Sequence, residues 1–126
     1  QLSENKIDGA ILHLEATLNL SFPEFCVGAI KENGQYVHQW VLGTDQEIKS
    51  DDNKYSELID DYLQERNKGY KEARSKALHQ VKVLTIPVEK FYEWTEEEKK
   101  KGGQVKIPKV MNEERLKDFI KLSVKK

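Results

Sequence analysis

Apolar residues at Ile7, Ala10, Ile11, Leu14 and Leu18 recur at steps of three and four, with polar residues between them. That spacing predicts a helix over 3–20. Ser3 is its expected cap, and Gly9 weakens it by about 1 kcal/mol relative to Ala. The period then changes. "EFCVGAI" and "QYVHQWVLG" read as strands joined by "KENG". Asn33-Gly34 is a hairpin signal, because a type I′ turn needs positive φ at both central positions. In the second strand Tyr36, His38, Trp40 and Leu42 alternate with Val37, Gln39 and Val41. Both faces carry apolar residues, so the sheet should be covered on at least one side.

After an acidic loop, residues 53–80 form the longest helical pattern, with Leu58, Ile59, Tyr62, Leu63, Tyr70 and Ala73 on one stripe. "VKVLTIP" then reads as a strand stopped by Pro87, and 88–101 as a short helix ended by Gly102 and Gly103. "QVKIPK" should be extended, since Pro108 biases Ile107 away from helical backbone. A last helix is capped by Asn112 and turns Leu116, Phe119 and Ile120 inward. Neither a repeat nor a linker divides the chain. The reading is one α+β domain over residues 1–126, with helices packed on a small mixed sheet made of a hairpin plus further strands.

Composition narrows the function. Lys plus Arg number 21 against 22 Asp plus Glu, for a formal net charge of −1. That balance gives no electrostatic reason to expect nucleic acid or an anionic membrane as partner. A charged fraction of 34% and a hydrophobic fraction of 37% fit a modest core under a heavily charged surface. Cys26, the single cysteine, lies in an apolar run and reads as a buried residue in a reducing compartment. No apolar run is long enough to cross a bilayer, so the expected location is cytoplasmic. The chain begins at Gln1 rather than Met, which fits a processed start or a piece of a larger protein.

Complete catalytic motifs are missing. His13, His38 and His79 are far apart, none has a metal-ligand spacing with Cys26, and no metal site is expected. There is no G-x-S-x-G, no H-E-x-x-H and no phosphate-cradling glycine loop. Three stretches remain. "GGQVKIPK" sets two permissive glycines beside an amide and two lysines. Either Lys106 is presented to a phosphate or carboxylate, or Gly102 only ends a helix and Lys106 is a solvated edge charge. "NKGYKEAR" places Asn67, Tyr70 and Arg74 on one helix face, or Tyr70 packs inward with Arg74 over it. In "FYEW", Phe91 and Trp94 are three apart and read as a core anchor.

Taken together, these stretches resemble the carboxy-terminal part of the auxin-responsive Gretchen Hagen family of acyl acid amido synthetases. Asn67, Tyr70 and Arg74 hold the spacing of its N-x-D-Y-x-x-x-R element, and Phe91, Tyr92 and Trp94 that of F-Y-x-W. Gly102, Gly103, Gln104, Lys106 and Pro108 match G-G-Q-x-K-x-P-R, which starts eleven residues after Phe91. His38 and Trp40 are similar to its H-E-W strand. The likeness runs from about Phe25 to Phe119. Two positions depart: Gly69 stands where the family has Asp, and Lys109 where it has Arg.

The resemblance implies the small domain of a two-step ligase. A carboxylic acid is adenylated with ATP and Mg2+, held mainly by a large amino-terminal adenylation domain, and an amino acid amine then displaces AMP. It also implies a fold like the carboxy-terminal domains of other adenylate-forming enzymes, which swing between steps and deliver a lysine. Lys106 is the residue so implied as catalytic, with Gly102, Gly103, Gln104 and Lys109 at the substrate or domain contact, and with no activity in the isolated domain. The contrasting expectation is a free-standing α+β module that binds a protein or peptide.

Overall fold

A computed structural model of the chain describes residues 2–48, 52–76, 78–102 and 106–124. The described residues form α1 (Glu4–Leu18), β1 (Glu24–Glu32), β2 (Gln35–Thr44), α2 (Asp52–Arg66), α3 (Lys68–Lys76), β3 (Leu78–Pro87), α4 (Glu89–Lys100) and α5 (Glu113–Ser123). The sheet order is β1-β2-β3. β1 and β2 pair antiparallel from Glu24↔Gly43 to Glu32↔Gln35, and β2 pairs β3 in parallel. The α+β class with a small mixed sheet is what the pattern predicted.

Local signals explain several boundaries. Asn33 and Gly34 take φ of 51° and 81°, the left-handed pair that the hairpin turn requires. Ser3 accepts from the Lys6 N–H and Asn112 from the Arg115 N–H, so each caps its helix.

Strand alternation sends apolar side chains to both faces, and both are covered. On one face Val27, Trp40, Leu42, Val81 and Val83 pack against Ile7, Ile11 and Leu14 of α1 and Ile59 and Leu63 of α2. On the other, Cys26, Ile30, Val41 and Ile86 meet Phe91 and Trp94 of α4 and Leu116 and Phe119 of α5. Cys26 is sealed there, and burial pushes its thiol up to about 12. No helix among the described residues is long and apolar enough to cross a membrane.

Two expectations change. The helix expected over 53–80 is two helices that break at Asn67, and its last residues belong to β3. At the break, the Tyr70 N–H donates to Asn67 Oδ1 at 3.2 Å and the Lys71 N–H to its carbonyl at 3.0 Å. Asn67 is therefore a cap of α3 rather than a member of a helix face, an example of a short polar side chain competing for backbone donors. Leu78–Gln80 join the ladder because β2 offers partners from Tyr36 onward, with a register shift between Tyr36 and Val37.

Candidate functional site

The stretch between α4 and α5 carries the candidate chemistry. α4 ends with the Gly102 N–H donating to the Lys99 carbonyl at 3.0 Å, and Gly102 itself has φ 75°. This is the left-handed stop that glycine supplies at little cost. Gly103 and Gln104 lie outside the described residues. Lys106 is exposed and sits at a bend. Ile107 and Pro108 are in no ladder, and the chain first pairs at Val110, in a parallel bridge to Val27. Ile107 and Pro108, the described residues of the segment expected to be extended just after Lys106, thus pair with no strand, consistent with a proline that has no N–H to give.

From Lys109 onward the chain is tied down. The Val27 N–H donates to the Lys109 carbonyl at 2.8 Å, and the Met111 N–H to the Val27 carbonyl at 3.0 Å. Lys109 Nζ lies 2.8 Å and 3.0 Å from the two carboxylate oxygens of Asp8, and 5.7 Å from the centre of the Phe25 ring. Asp8 keeps the Lys109 ammonium above its ordinary range. Met111 is buried, and a Cβ on Gly28 would strike its carbonyl oxygen. Close approach of two backbones is what requires glycine there.

The second motif is a clasp between α2 and α3. Asp60 accepts from Tyr70 Oη at 2.7 Å, Arg74 Nε at 2.9 Å and Arg74 Nη2 at 3.0 Å. Burial alone would raise the Asp60 carboxyl, but the hydrogen bonds from Arg74 and Tyr70 outweigh it and hold it below the usual carboxylate range. Burial, reinforced by the Asp60 carboxylate, pushes the Tyr70 phenol up. The Tyr70 ring lies 6.0 Å from His38, whose imidazole is lowered to about 4 by burial and by Arg74. Tyr70 packs inward as one reading of the sequence had it, but Arg74 pairs with Asp60 across the helix break.

The third motif is core. Phe91 and Trp94 are buried, with centroids 4.8 Å and 5.8 Å from the Phe119 ring. Arg115 lies over Trp94 at 5.0 Å and donates to Glu98 at 3.2 Å, which ties α5 to α4. Tyr92 points out and is 47% exposed. Asp8 and Asp60 were not singled out in the sequence. Asp8 meets its lysine across 101 positions, and Asp60 meets its arginine only because the chain turns at Asn67. Among the described residues no group of three or more His, Cys, Asp or Glu is placed to hold a metal ion. Chemically, the arrangement offers an exposed lysine three residues before a pinned one and a half-buried histidine whose imidazole stays neutral.

Comparison with known proteins agrees with this layout. The model of the GH3 family C-terminal domain matches residues 6–115. The fold is similar to solved structures titled "AtGH3.15 acyl acid amido synthetase in complex with 2,4-DB" and "GH3.15 acyl acid amido synthetase", with TM-scores of 0.74 and 0.72. Identity is 16% to each, and each comparison covers 100% of this chain but only 24% and 25% of the other. The chain thus spans about a quarter of those proteins. No curated protein matches it in sequence. With the family model matched across both cores and through the Lys106 loop, the chain belongs to the GH3 family, as its C-terminal domain.

Proposed function

We propose that this chain is the mobile lid of an ATP-dependent acyl acid amido synthetase and that Lys106 is the charge it delivers. The observation that carries the reading is an exposed lysine inside the family-matched span, after a left-handed glycine stop and three residues before a pinned lysine. The reaction joins a small carboxylic acid to the amine of an amino acid in two steps. The carboxylate first attacks the ATP α-phosphate, releasing pyrophosphate and forming an acyl adenylate, and the amine then attacks its carbonyl carbon and displaces AMP. An ammonium placed beside the α-phosphate and carboxylate oxygens stabilises charge that builds as the carboxylate attacks. Lysine suits delivery from a mobile domain, as a point charge on a flexible stem. Gly102, Gly103 and Gln104 would form the contact with the amino-terminal adenylation domain, the partner within the same polypeptide.

ATP is a substrate held by that neighbour. Mg2+ would be held mainly there with it, and among the described residues no group of three or more His, Cys, Asp or Glu is placed to hold a metal ion. The isolated domain has no activity in this reading, and the full protein works in the cytoplasm.

The test is an amide-ligation screen of the full-length protein with a panel of carboxylic acids and amino acids, reading AMP release and amide product. Product that requires acid, amine and ATP together, with none from the 126-residue chain alone, is the expected result. ATP turnover indifferent to every acid and amine in the panel would overturn the reading.

A further inference from the structure

The proposed role of Lys106 requires its ammonium to be placed reproducibly, and the structure holds a physical answer on another element. Lys106 is followed by Ile107-Pro108-Lys109. Proline fixes its own φ and confines the residue before it to extended backbone. Ile107 also packs against the core of the α4–α5 face. Three residues of stiff chain, spanning about 10 Å at most, therefore carry the position of Lys109 back to Lys106.

Lys109 is held at two places that do not share an axis. Its carbonyl and the Met111 N–H bracket Val27 on β1. A single bridge of this kind leaves the preceding chain free to pivot about it. Its side chain meets both oxygens of Asp8 on α1 at 2.8 Å and 3.0 Å, which removes that pivot. α1 is itself a fixed reference. Asp8 adjoins Gly9, where a Cβ would lie 2.7 Å from Tyr62 Oη of α2, so the two helices are in close contact there.

We infer that Asp8 is a positioning residue for the Lys106 loop, acting through Lys109 and the Ile107-Pro108 strut. The inference rests on the reading of Lys106 given above. Both side chains of the ion pair are 37% exposed. A pair that open to water adds little to stability, so its removal leaves the domain folded while the loop loses its second anchor.

The experiment uses the full-length enzyme and measures acid-dependent ATP–pyrophosphate exchange for Asp8→Ala, Lys106→Ala and the double variant. Asp8→Ala should lower kcat by up to about fivefold with the KM for the acid unchanged, the most that losing an exposed pair can shift a population. In the Lys106→Ala background it should have no further effect, because Asp8 acts only through that lysine. The exchanged pair, Asp8→Lys with Lys109→Asp, should recover most of the loss. Amide hydrogen exchange at Met111 in Asp8→Ala should quicken while that of core strand residues holds.

Equal slowing by Asp8→Ala with and without Lys106 would overturn the inference, as would a wild-type kcat in Asp8→Ala while Lys106→Ala is slow. Wild-type exchange in Lys106→Ala itself is a different result: it removes the reading of Lys106 and the inference built on it.

Discussion

Replacing Asp60 by alanine tests whether the Asn67–Tyr70–Arg74 motif is a clasp. Asp60 accepts hydrogen bonds from Tyr70, from Arg74 Nε and Nη2 and from Gln64, and its side chain is only 15% exposed against 23% for Arg74. Exposed ion pairs contribute up to about 1 kcal/mol, whereas breaking a buried one costs about 3–5 kcal/mol because the remaining charge is stranded. Arg74 retains some access to water, which places Asp60→Ala at the low end, about 3 kcal/mol. Set against a total stability of about 5–15 kcal/mol, that is a large fraction. Urea unfolding of the chain followed by circular dichroism should show the midpoint falling by about 1–2 M at an unchanged slope. Tyr70→Phe, which removes one donor to a charged carboxylate but keeps the ring, should cost about 1.5 kcal/mol. The acid limb gives a second check. The Asp60 carboxyl is held below its ordinary 3.8. Its contribution is thus complete above that value and disappears as pH falls through the lower folded value, a component that Asp60→Ala should lack. A cost below about 0.5 kcal/mol, as at an ordinary surface position, would refute the clasp.

Two other consequences concern the same scaffold. His38 falls from 6.5 to about 4 on folding, so its contribution is full above pH 6.5 and is lost as pH drops from there through about 4. The loss is up to about 3 kcal/mol, and comparing urea midpoints at pH 7 and pH 4.5 in the wild type and His38→Gln should isolate it; identical pH dependence in both would contradict the burial of a neutral imidazole. Gly28→Ala should destabilise the chain by about 2–3 kcal/mol, since the new methyl meets the Met111 carbonyl and lies 2.9 Å from Leu116 Cδ2. A neutral thermal midpoint in that variant would mean that the 109–111 segment does not lie against β1.

The sequence was readable where the determinant is local. A left-handed turn demands Asn33-Gly34, a helix start demands an oxygen at Ser3 or Asn112, and a helix stop uses Gly102; each demand is met within a few residues. The two apolar faces of 36–42 were likewise visible as alternation, and they are covered on both sides. What was hidden depends on where distant segments meet. The break at Asn67 interrupts a hydrophobic stripe that looks continuous, although an asparagine two residues before a glycine was a usable signal. β3 begins at Leu78 because β2 supplies partners, a tertiary demand that overrides the helical character of the preceding residues. Asp8 looked like one more solvated acid on α1, and only the fold brings it to Lys109. The family motif was legible as spacing, but its parts do different work: Phe91 and Trp94 fill a core, Asn67 caps, and Tyr70 and Arg74 clasp.

The central claim is that this domain supplies a positive charge to a reaction centre built by its neighbour. The most direct measurement is acid-dependent ATP–pyrophosphate exchange by the full-length enzyme with Lys106 replaced by alanine, with the thermal midpoint of the same sample recorded alongside. The account predicts exchange reduced on the order of a hundredfold or more, as for removal of one preorganised charge-stabilising group, at an unchanged midpoint, because Lys106 is exposed. Wild-type exchange at that same midpoint would contradict it.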